Sequence, residues 1–269
     1  MERNIEEVKE ELLVLAKRFN ELCVRNGIHY SVHGGTMLGA VREKGFIAWD
    51  DDIDVTFTRP EFEAFLKVYE KEPIEDTVMN SNGSYPRLIM KREGHPIVWT
   101  DIFVYDYITD NKLLRKYKLL RLKIMNLEFR SPETLKFTKA NSKGNSLRYA
   151  LISAIVKHGN RTDRKKLQKR AKRVMVSLQG KKNTLCRTND TIVGMSKLVP
   201  GYAMDKFEMI PFENIELMIT SNWHEVLVSS YGPDYMTPRK TAIEDQHDDF
   251  VDREIKNAEE EFERQKKRA

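Results

Sequence analysis

An acidic cluster at residues 50–54 holds the side chains best suited to chemistry in this chain. On an extended strand alternate side chains share a face, so Asp52 and Asp54 should point the same way while Ile53 and Val55 point into the core. Two carboxylates on one face repel each other unless a cation lies between them. Their spacing favours Mg²⁺, a hard cation that takes oxygen ligands and completes its coordination with water and substrate phosphates.

A glycine pair, Gly34 and Gly35, precedes the acidic cluster. It follows an alternating apolar run that ends at Val32 and precedes residues 37–41, which are typical of a short helix. Backbone without Cβ atoms can approach a ligand closely, and the N–H groups at a helix start favour an anion. Alone, each motif is more typical of an ordinary turn or a solvated loop. Together they indicate phosphoryl or nucleotidyl transfer.

A third acid, Asp101, lies inside the apolar run 97–104. Burying a carboxylate there is costly unless it is hydrogen-bonded, paired or bound to a metal. The alternative is an edge-strand carboxylate that faces water, and Asp106 at the exit of the same strand is easily confused with it. A hairpin should join this strand to one at 87–92.

Four further side chains are candidates for substrate contacts. On the 87–92 strand, Arg87 and Lys91 could bind phosphate, as could Arg42 at the end of the short helix, although an ordinary surface arginine is an equal alternative there. Trp49 could stack on a base or on an alcohol headgroup, but a structural tryptophan is the more common case.

Helices and strands must position these groups, and the periodicity predicts an α/β (α+β) fold. It indicates an amphipathic helix from Ile5 that is capped at Gly27, and a second helix that begins at Pro60. After Pro73 the chain is predicted to be loop as far as Ser84. The last third predicts a strand or hairpin at 209–219, a helix at 223–231 and a charged helix at 251–265.

Residues 111–182 change the character of the chain, since 22 Lys or Arg face only three acids there, a local charge of +19. The whole chain has a net charge of +5, so the remainder carries −14. Helical apolar stripes run through this segment, one from Leu113 to Leu127 and another from Leu147 to Val156. One interpretation is a solvated helical bundle, and the other is a surface for anionic lipid or an anionic polymer.

The 269 residues suffice for one large domain or two small ones. The charged N-terminus has no signal-peptide core, and no apolar run reaches the length of a membrane span. We therefore expect a cytoplasmic location, with peripheral contact at the inner face of the membrane as an option. Cys23 and Cys186 predict neither a disulfide framework nor a metal cluster, and are interpreted as packing residues.

The segment from Gly34-Gly35-Thr36 through Trp49-Asp50-Asp51-Asp52-Ile53-Asp54 resembles the signature of the LicD family, which includes fukutin-related proteins. Members are similar in fold to nucleotidyltransferases, with a glycine pair, a strand-borne Asp-x-Asp and a third carboxylate on a later strand. Asp101 matches that third carboxylate. His247 lies where members often carry a histidine, although a surface histidine is the simpler interpretation of the sequence alone.

The resemblance implies a reaction. A phosphoalcohol would be transferred from a CDP-alcohol to a sugar hydroxyl of a cell-surface glycan, and CMP would leave. Phosphocholine is the first choice for the transferred group. The acceptor glycan would be teichoic acid, lipopolysaccharide or a capsule precursor. The partners are then the CDP-alcohol donor and a glycan or lipid-linked glycan acceptor. Mg²⁺ is the expected cofactor, with Mn²⁺ as its substitute, bound by Asp52, Asp54 and Asp101. Gly34, Gly35 and Thr36 would hold the donor phosphates.

The implied domain organisation has three parts, a nucleotidyltransferase-like catalytic core at 1–110, a basic helical insertion at 111–182 and a C-terminal region at 183–269. A small mixed sheet flanked by helices would carry the carboxylates.

Two other functions stay open. The first is a true nucleotidyltransferase that acts on a small molecule or RNA, and the second is a non-catalytic module that binds nucleic acid or membrane. Nucleic acid is the less favoured partner, because the basic segment lacks clear aromatic interleaving.

Overall fold

A computed structural model describes residues 4–48, 50–81, 83–132, 135, 146–238 and 247–267, with the backbone alone at 146 and 247–253. The chain forms two compact units. The first unit contains residues 1–80, 86–104 and 202–269, and the second contains 81–85 and 105–201. Within the described residues, no helix is both long and apolar enough to cross a bilayer.

The first unit combines elements from the N-terminal and the C-terminal parts of the chain. Its helices and strands are, in chain order, α1 (Ile5–Arg25), β1 (Ser31–Val32), α2 (Gly34–Arg42), β2 (Ile53–Thr58), α3 (Arg59–Lys71), β3 (Thr77–Asn80), β4 (Arg87–Met90), β5 (Val98–Tyr107), then β8 (Phe207–Phe212), β9 (Ile215–Thr220), α7 (Trp223–Tyr231) and α8 (His247–Lys266). Strand β5 belongs to this unit as far as Val104, and its last three residues belong to the second unit.

The sheet of this unit has the strand order β1-β2-β5-β4-β3, and β8 and β9 form a separate hairpin. Its aromatic core joins α1 to β2 and α3, because Phe19 lies 4.8 Å from Tyr30 between ring centroids and also contacts Phe57 and Phe65. Helix α8 covers the β3 and β4 side, where Phe262 packs with Ile89 and Trp99.

The second unit has the helices α4 (Lys112–Phe129), α5 (Ser146–Arg161) and α6 (Arg164–Met175), and the short strands β6 (Thr184–Arg187) and β7 (Val199–Pro200). The end of β5 pairs antiparallel with β6, which pairs with β7. Leu122, Met125 and Leu167 belong to a buried cluster that α4 and α6 share. This unit contains all of the basic segment 111–182.

The α+β fold class is confirmed, as is the hairpin from β4 to β5. Gly27 has the positive φ (+64°) expected just beyond the end of α1. The loop prediction after Pro73 was wrong in part, because residues 77–80 form β3 and pair antiparallel with β4. This strand is only half-buried and runs into a turn-rich sequence, so its apolar signal is weak. Cys23 and Cys186 are buried free thiols.

The apolar stripe that the sequence predicts on α4 is exposed, whereas a stripe that packs into the core would be buried. Leu113, Leu120 and Tyr117 are more than half exposed, while the buried face carries Lys118 and Leu122. Lys118 is fully buried and its Nζ donates to the carbonyl of Tyr107 at 3.2 Å. A helical period shows that an apolar face exists, but the neighbouring elements decide which face they cover.

Candidate active site

The acidic strand has the predicted alternation. Ile53 and Val55 are each 1% exposed, whereas Asp54 between them is half-buried, and Asp52 lies just before the first residue of β2. The core therefore holds Ile53 and Val55 in place, while Asp54 projects from the other face of the strand.

Helix α2 meets this strand through the glycine pair. Gly34 is the first helical residue and has a left-handed φ of +57°. A Cβ atom on Gly34 would lie 2.6 Å from Asp54 Oδ2, and one on Gly35 would lie 2.5 Å from Asp50 Oδ2. Both distances are too short for a real Cβ contact, so only glycine lets the start of α2 approach the two carboxylates this closely.

Backbone hydrogen bonds fix the same approach. The Asp54 N–H donates to Thr36 Oγ1 at 2.9 Å, and the His33 N–H donates to the Asp54 carbonyl at 2.8 Å. Thr36 is buried, so its hydroxyl holds the acidic strand against the helix start. Thr36 was predicted as a phosphate contact, and the structure shows in addition this role in positioning Asp54.

Asp101 lies opposite Arg87 in the antiparallel register of β4 and β5. Arg87 Nε donates to Asp101 Oδ1 at 2.6 Å and Nη2 donates to Oδ2 at 3.4 Å, while Nη1 donates to Glu254 Oε2 on α8. The guanidinium also lies over the Trp99 ring, 5.2 Å from its centroid. Arg87 is thus a half-buried cation shared by two carboxylates, with little freedom to move.

The acids of this site influence one another. Burial raises the pKa of Asp52 well above its usual range, and the charges of Asp50, Asp101 and Asp51 raise it further. Burial also raises the pKa of Asp101, although the Arg87 guanidinium opposes this shift. Crowded carboxylates whose protonation is favoured by mutual repulsion are groups that a divalent cation would stabilise in the ionised form.

Among the described residues, no three His, Cys, Asp or Glu side chains are arranged so that they could hold a metal ion. The donor chemistry nevertheless suits Mg²⁺, because Asp52, Asp54 and Asp101 offer only hard oxygen atoms. Magnesium sites in enzymes of phosphate transfer commonly take one or two carboxylates and complete their shell with substrate phosphates and water.

Other predicted contacts lie in different surroundings. Arg42 is the last residue of α2, where Nε donates to Glu43 Oε1 at 2.7 Å and Nη1 lies 3.5 Å from the Tyr235 carbonyl. Lys91 Nζ lies 3.6 Å from Glu263 Oε1. Trp49 lies outside the described residues, as does the side chain of His247, whose backbone begins α8. Their roles in binding stay predictions.

Two acids near the site were missed by the sequence analysis as functional candidates. Asp50 lies beside Gly35, and the glycine spacing could have indicated it. Glu254 lies 167 residues from Arg87 along the chain, on a helix rich in charge, and nothing local marks it. Its identification depends on the packing of α8 against β3 and β4.

Comparison with known proteins finds similarity over part of this chain. The model of the LicD/FKTN/FKRP nucleotidyltransferase domain matches residues 27–131. The lipopolysaccharide cholinephosphotransferase LicD of Haemophilus influenzae is 31% identical over 160 residues, covering 52% of this chain and 60% of that protein. An uncharacterized protein of Rickettsia prowazekii is 30% identical over 128 residues, covering 40% of this chain and 46% of that protein.

This chain thus spans no more than 60% of the length of these two curated relatives. The segment matched by the family model includes the glycine pair, the acidic cluster, Arg87 and Asp101. It therefore covers the side chains that the structure brings together, apart from Glu254. Residues 27–131 are thus similar to the nucleotidyltransferase domain of the LicD/FKTN/FKRP family.

Proposed function

We propose that this protein transfers phosphocholine from CDP-choline to a sugar hydroxyl of a cell-surface glycan and releases CMP, with Mg²⁺ as cofactor. One observation carries the proposal: the glycine start of α2 packs directly on Asp54, in a site whose acids include Asp52 and Asp101. The name of the Haemophilus relative supports choline phosphate as the group transferred and lipopolysaccharide as the kind of acceptor.

The start of α2 would bind the donor phosphates. Its first N–H groups have no partner within the helix, and the helix dipole favours an anion at this end. Gly34 and Gly35 allow a phosphate to approach the backbone without a Cβ in the way. Thr36 Oγ1 already accepts a hydrogen bond from Asp54, so the hydroxyl retains its own proton to donate.

Asp52 and Asp54 would hold Mg²⁺, and Asp101 would complete the set. When bound, the ion would neutralise charge on the donor phosphates and make the phosphorus easier to attack. Arg87 would keep Asp101 oriented through its two hydrogen bonds, and Glu254 would hold the other edge of the guanidinium. The protein's contribution is chiefly position and charge, as is usual in phosphoryl transfer.

The bond changes follow from the donor. The acceptor hydroxyl oxygen forms a bond to the phosphorus that bears choline, and the bond from that phosphorus to the bridging oxygen breaks. CMP leaves with the bridging oxygen. We propose that Asp101 accepts the proton of the attacking hydroxyl, because its raised pKa suits a base better than that of an ordinary surface aspartate.

A donor panel tests this proposal. CDP-choline, CDP-glycerol, CDP-ribitol and CTP are each incubated with the protein and a lipopolysaccharide or teichoic acid acceptor, with Mg²⁺ or with EDTA, and nucleotide products are measured. We expect Mg²⁺-dependent CMP from CDP-choline. CMP from CDP-glycerol or CDP-ribitol alone would replace choline as the alcohol, while no CMP from any CDP-alcohol would refute the reaction.

A second function is favoured by the nucleotidyltransferase description of the matched family model. In that reaction the acceptor attacks the phosphorus attached to the nucleoside, and pyrophosphate leaves. The same carboxylates would serve both reactions, so the site does not choose between them. Pyrophosphate release from CTP, with a nucleotide attached to the acceptor, would identify this second function.

A further inference from the structure

Helix α4 has two apolar faces on opposite sides. Its inner face packs against α5 and α6 and buries Leu122, Met125 and Phe129. Its outer face presents four apolar side chains to solvent, with exposed fractions of 78% for Leu113, 53% for Tyr117, 56% for Leu120 and 37% for Ile124. We call these four residues the outer stripe. At 100° per residue they fall within an arc of about 60°.

Basic residues border the outer stripe. Lys112 and Lys116 are exposed along one side, and Arg121 is exposed along the other. Its guanidinium lies 5.8 Å from the centroid of the Tyr117 ring, which places the cation at the edge of the apolar surface. The one acid of α4, Glu128, is buried, and its Oε2 forms an ion pair with Arg170 Nη2 at 2.5 Å. The exposed charge of this helix is therefore entirely positive.

We propose that the outer stripe of α4 docks on an anionic membrane surface, with Leu113, Tyr117, Leu120 and Ile124 inserted among the lipid headgroups and the flanking lysines and arginine on lipid phosphates. A helix with an exposed apolar stripe and a basic border is the pattern that binds in the interface plane. Tyrosine favours this depth because its ring is apolar and its hydroxyl stays in water.

Charge decides between a membrane and a second copy of this chain. In a symmetric dimer the same patch would meet itself, so the basic border of one stripe would face the basic border of the other. Those like charges would repel each other, whereas anionic lipid would attract every one of them. The inference does not depend on the proposed reaction, since vesicle binding needs no donor or acceptor.

Vesicle co-sedimentation of the full chain tests the docking surface. We expect binding to vesicles of phosphatidylcholine with about one-third phosphatidylglycerol, and at least tenfold weaker binding to phosphatidylcholine alone. Leu113→Ser with Leu120→Ser should weaken the binding about tenfold. Val193→Ser is the matched control, because Val193 is an exposed (69%) apolar residue of the same unit that lies outside α4.

A pair of charge variants separates the outer stripe from general attraction to basic protein. Lys112→Gln with Lys116→Gln should weaken binding about fivefold per lysine. The matched control is Lys165→Gln with Lys166→Gln, which removes the same charge from exposed positions of α6 that border no exposed apolar stripe. Equal losses in the two pairs would overturn the assignment to α4.

A fluorescent label gives a readout that charge alone does not change. Leu120→Cys carries an environment-sensitive dye, while the native Cys23 and Cys186 are buried and should not react. We expect a blue shift of the dye emission on anionic vesicles for Leu120→Cys and none for Val193→Cys.

A dimer that dissociates in the Leu113→Ser, Leu120→Ser variant, with vesicle binding unchanged, would show instead that a second copy covers the outer stripe.

Discussion

Arg87 and Asp101 face each other across the β4–β5 hairpin, joined by hydrogen bonds of 2.6 and 3.4 Å, and Glu254 takes the remaining edge of the same guanidinium. This arrangement links the proposed third carboxylate to α8 near the end of the chain. It also explains how a carboxylate that is only 7% exposed is tolerated in an apolar strand.

We expect Arg87→Gln to destabilise the fold, because it leaves Asp101 buried without its cation. Removing one partner of such a pair costs about 3 kcal/mol, measured as the free energy of unfolding in urea. The control is Lys91→Gln, next to the same strand, whose longer and more exposed pair with Glu263 should contribute less than about 1 kcal/mol. Equal effects in the two variants would contradict the assigned role of Arg87.

Gly34→Ala should damage the site as well as the backbone. It adds a Cβ within 2.6 Å of Asp54 Oδ2 at a left-handed φ, whereas Gly94→Ala adds one to open space at a similar φ of +78°. Both should lose about 1–2 kcal/mol of stability from backbone strain. Turnover should collapse only in Gly34→Ala. Similar turnover in the two variants would mean that the close approach to Asp54 is unimportant for the reaction.

The pKa of Asp52 predicts a pH-dependent stability in metal-free protein. Because folding raises this pKa, the folded state holds the proton more tightly than the unfolded state. The free energy of unfolding should therefore fall as the pH rises from about 4, the ordinary pKa, through the raised value. Asp52→Asn cannot ionise and should be more stable than the wild type at neutral pH.

Urea unfolding in EDTA between pH 4 and pH 8 measures this difference. The stabilisation by Asp52→Asn should shrink towards pH 4, where the wild-type carboxyl is increasingly protonated in both states. Mg²⁺ should then stabilise the wild type more than Asp52→Asn. A variant that is less stable at every pH would show that the Asp52 carboxylate is favourably paired in the folded protein.

Asp54→Asn should lower CMP release by about two orders of magnitude with no loss of fold, because it removes a proposed metal ligand and also relieves repulsion. Asp51→Asn removes the same charge nearby from a residue outside the proposed ligand set, and should have a much smaller effect. Circular dichroism and thermal unfolding establish that both variants fold. Unchanged Mg²⁺-dependent turnover in Asp54→Asn would rule out its role.

The sequence predicted what depends on local pattern and failed where packing decides. The alternation at Ile53, Asp54 and Val55 has a period of two, so the carboxylate on the face opposite the two apolar side chains followed directly. The Arg87–Asp101 pair required the hairpin register, and Glu254 required the position of a helix far along the chain. The faces of α4 could not be assigned from periodicity, since the helix is apolar on both sides and only its neighbours decide which side is covered.

The most direct test of the central claim is the mass of the glycan acceptor after reaction with CDP-choline and Mg²⁺, measured together with the nucleotide released. The account predicts an acceptor heavier by one phosphocholine group, CMP in equal amount, and about a hundredfold less of both products from Asp54→Asn. An acceptor that gains a nucleotide from CTP with release of pyrophosphate, while CDP-choline stays intact, would contradict it.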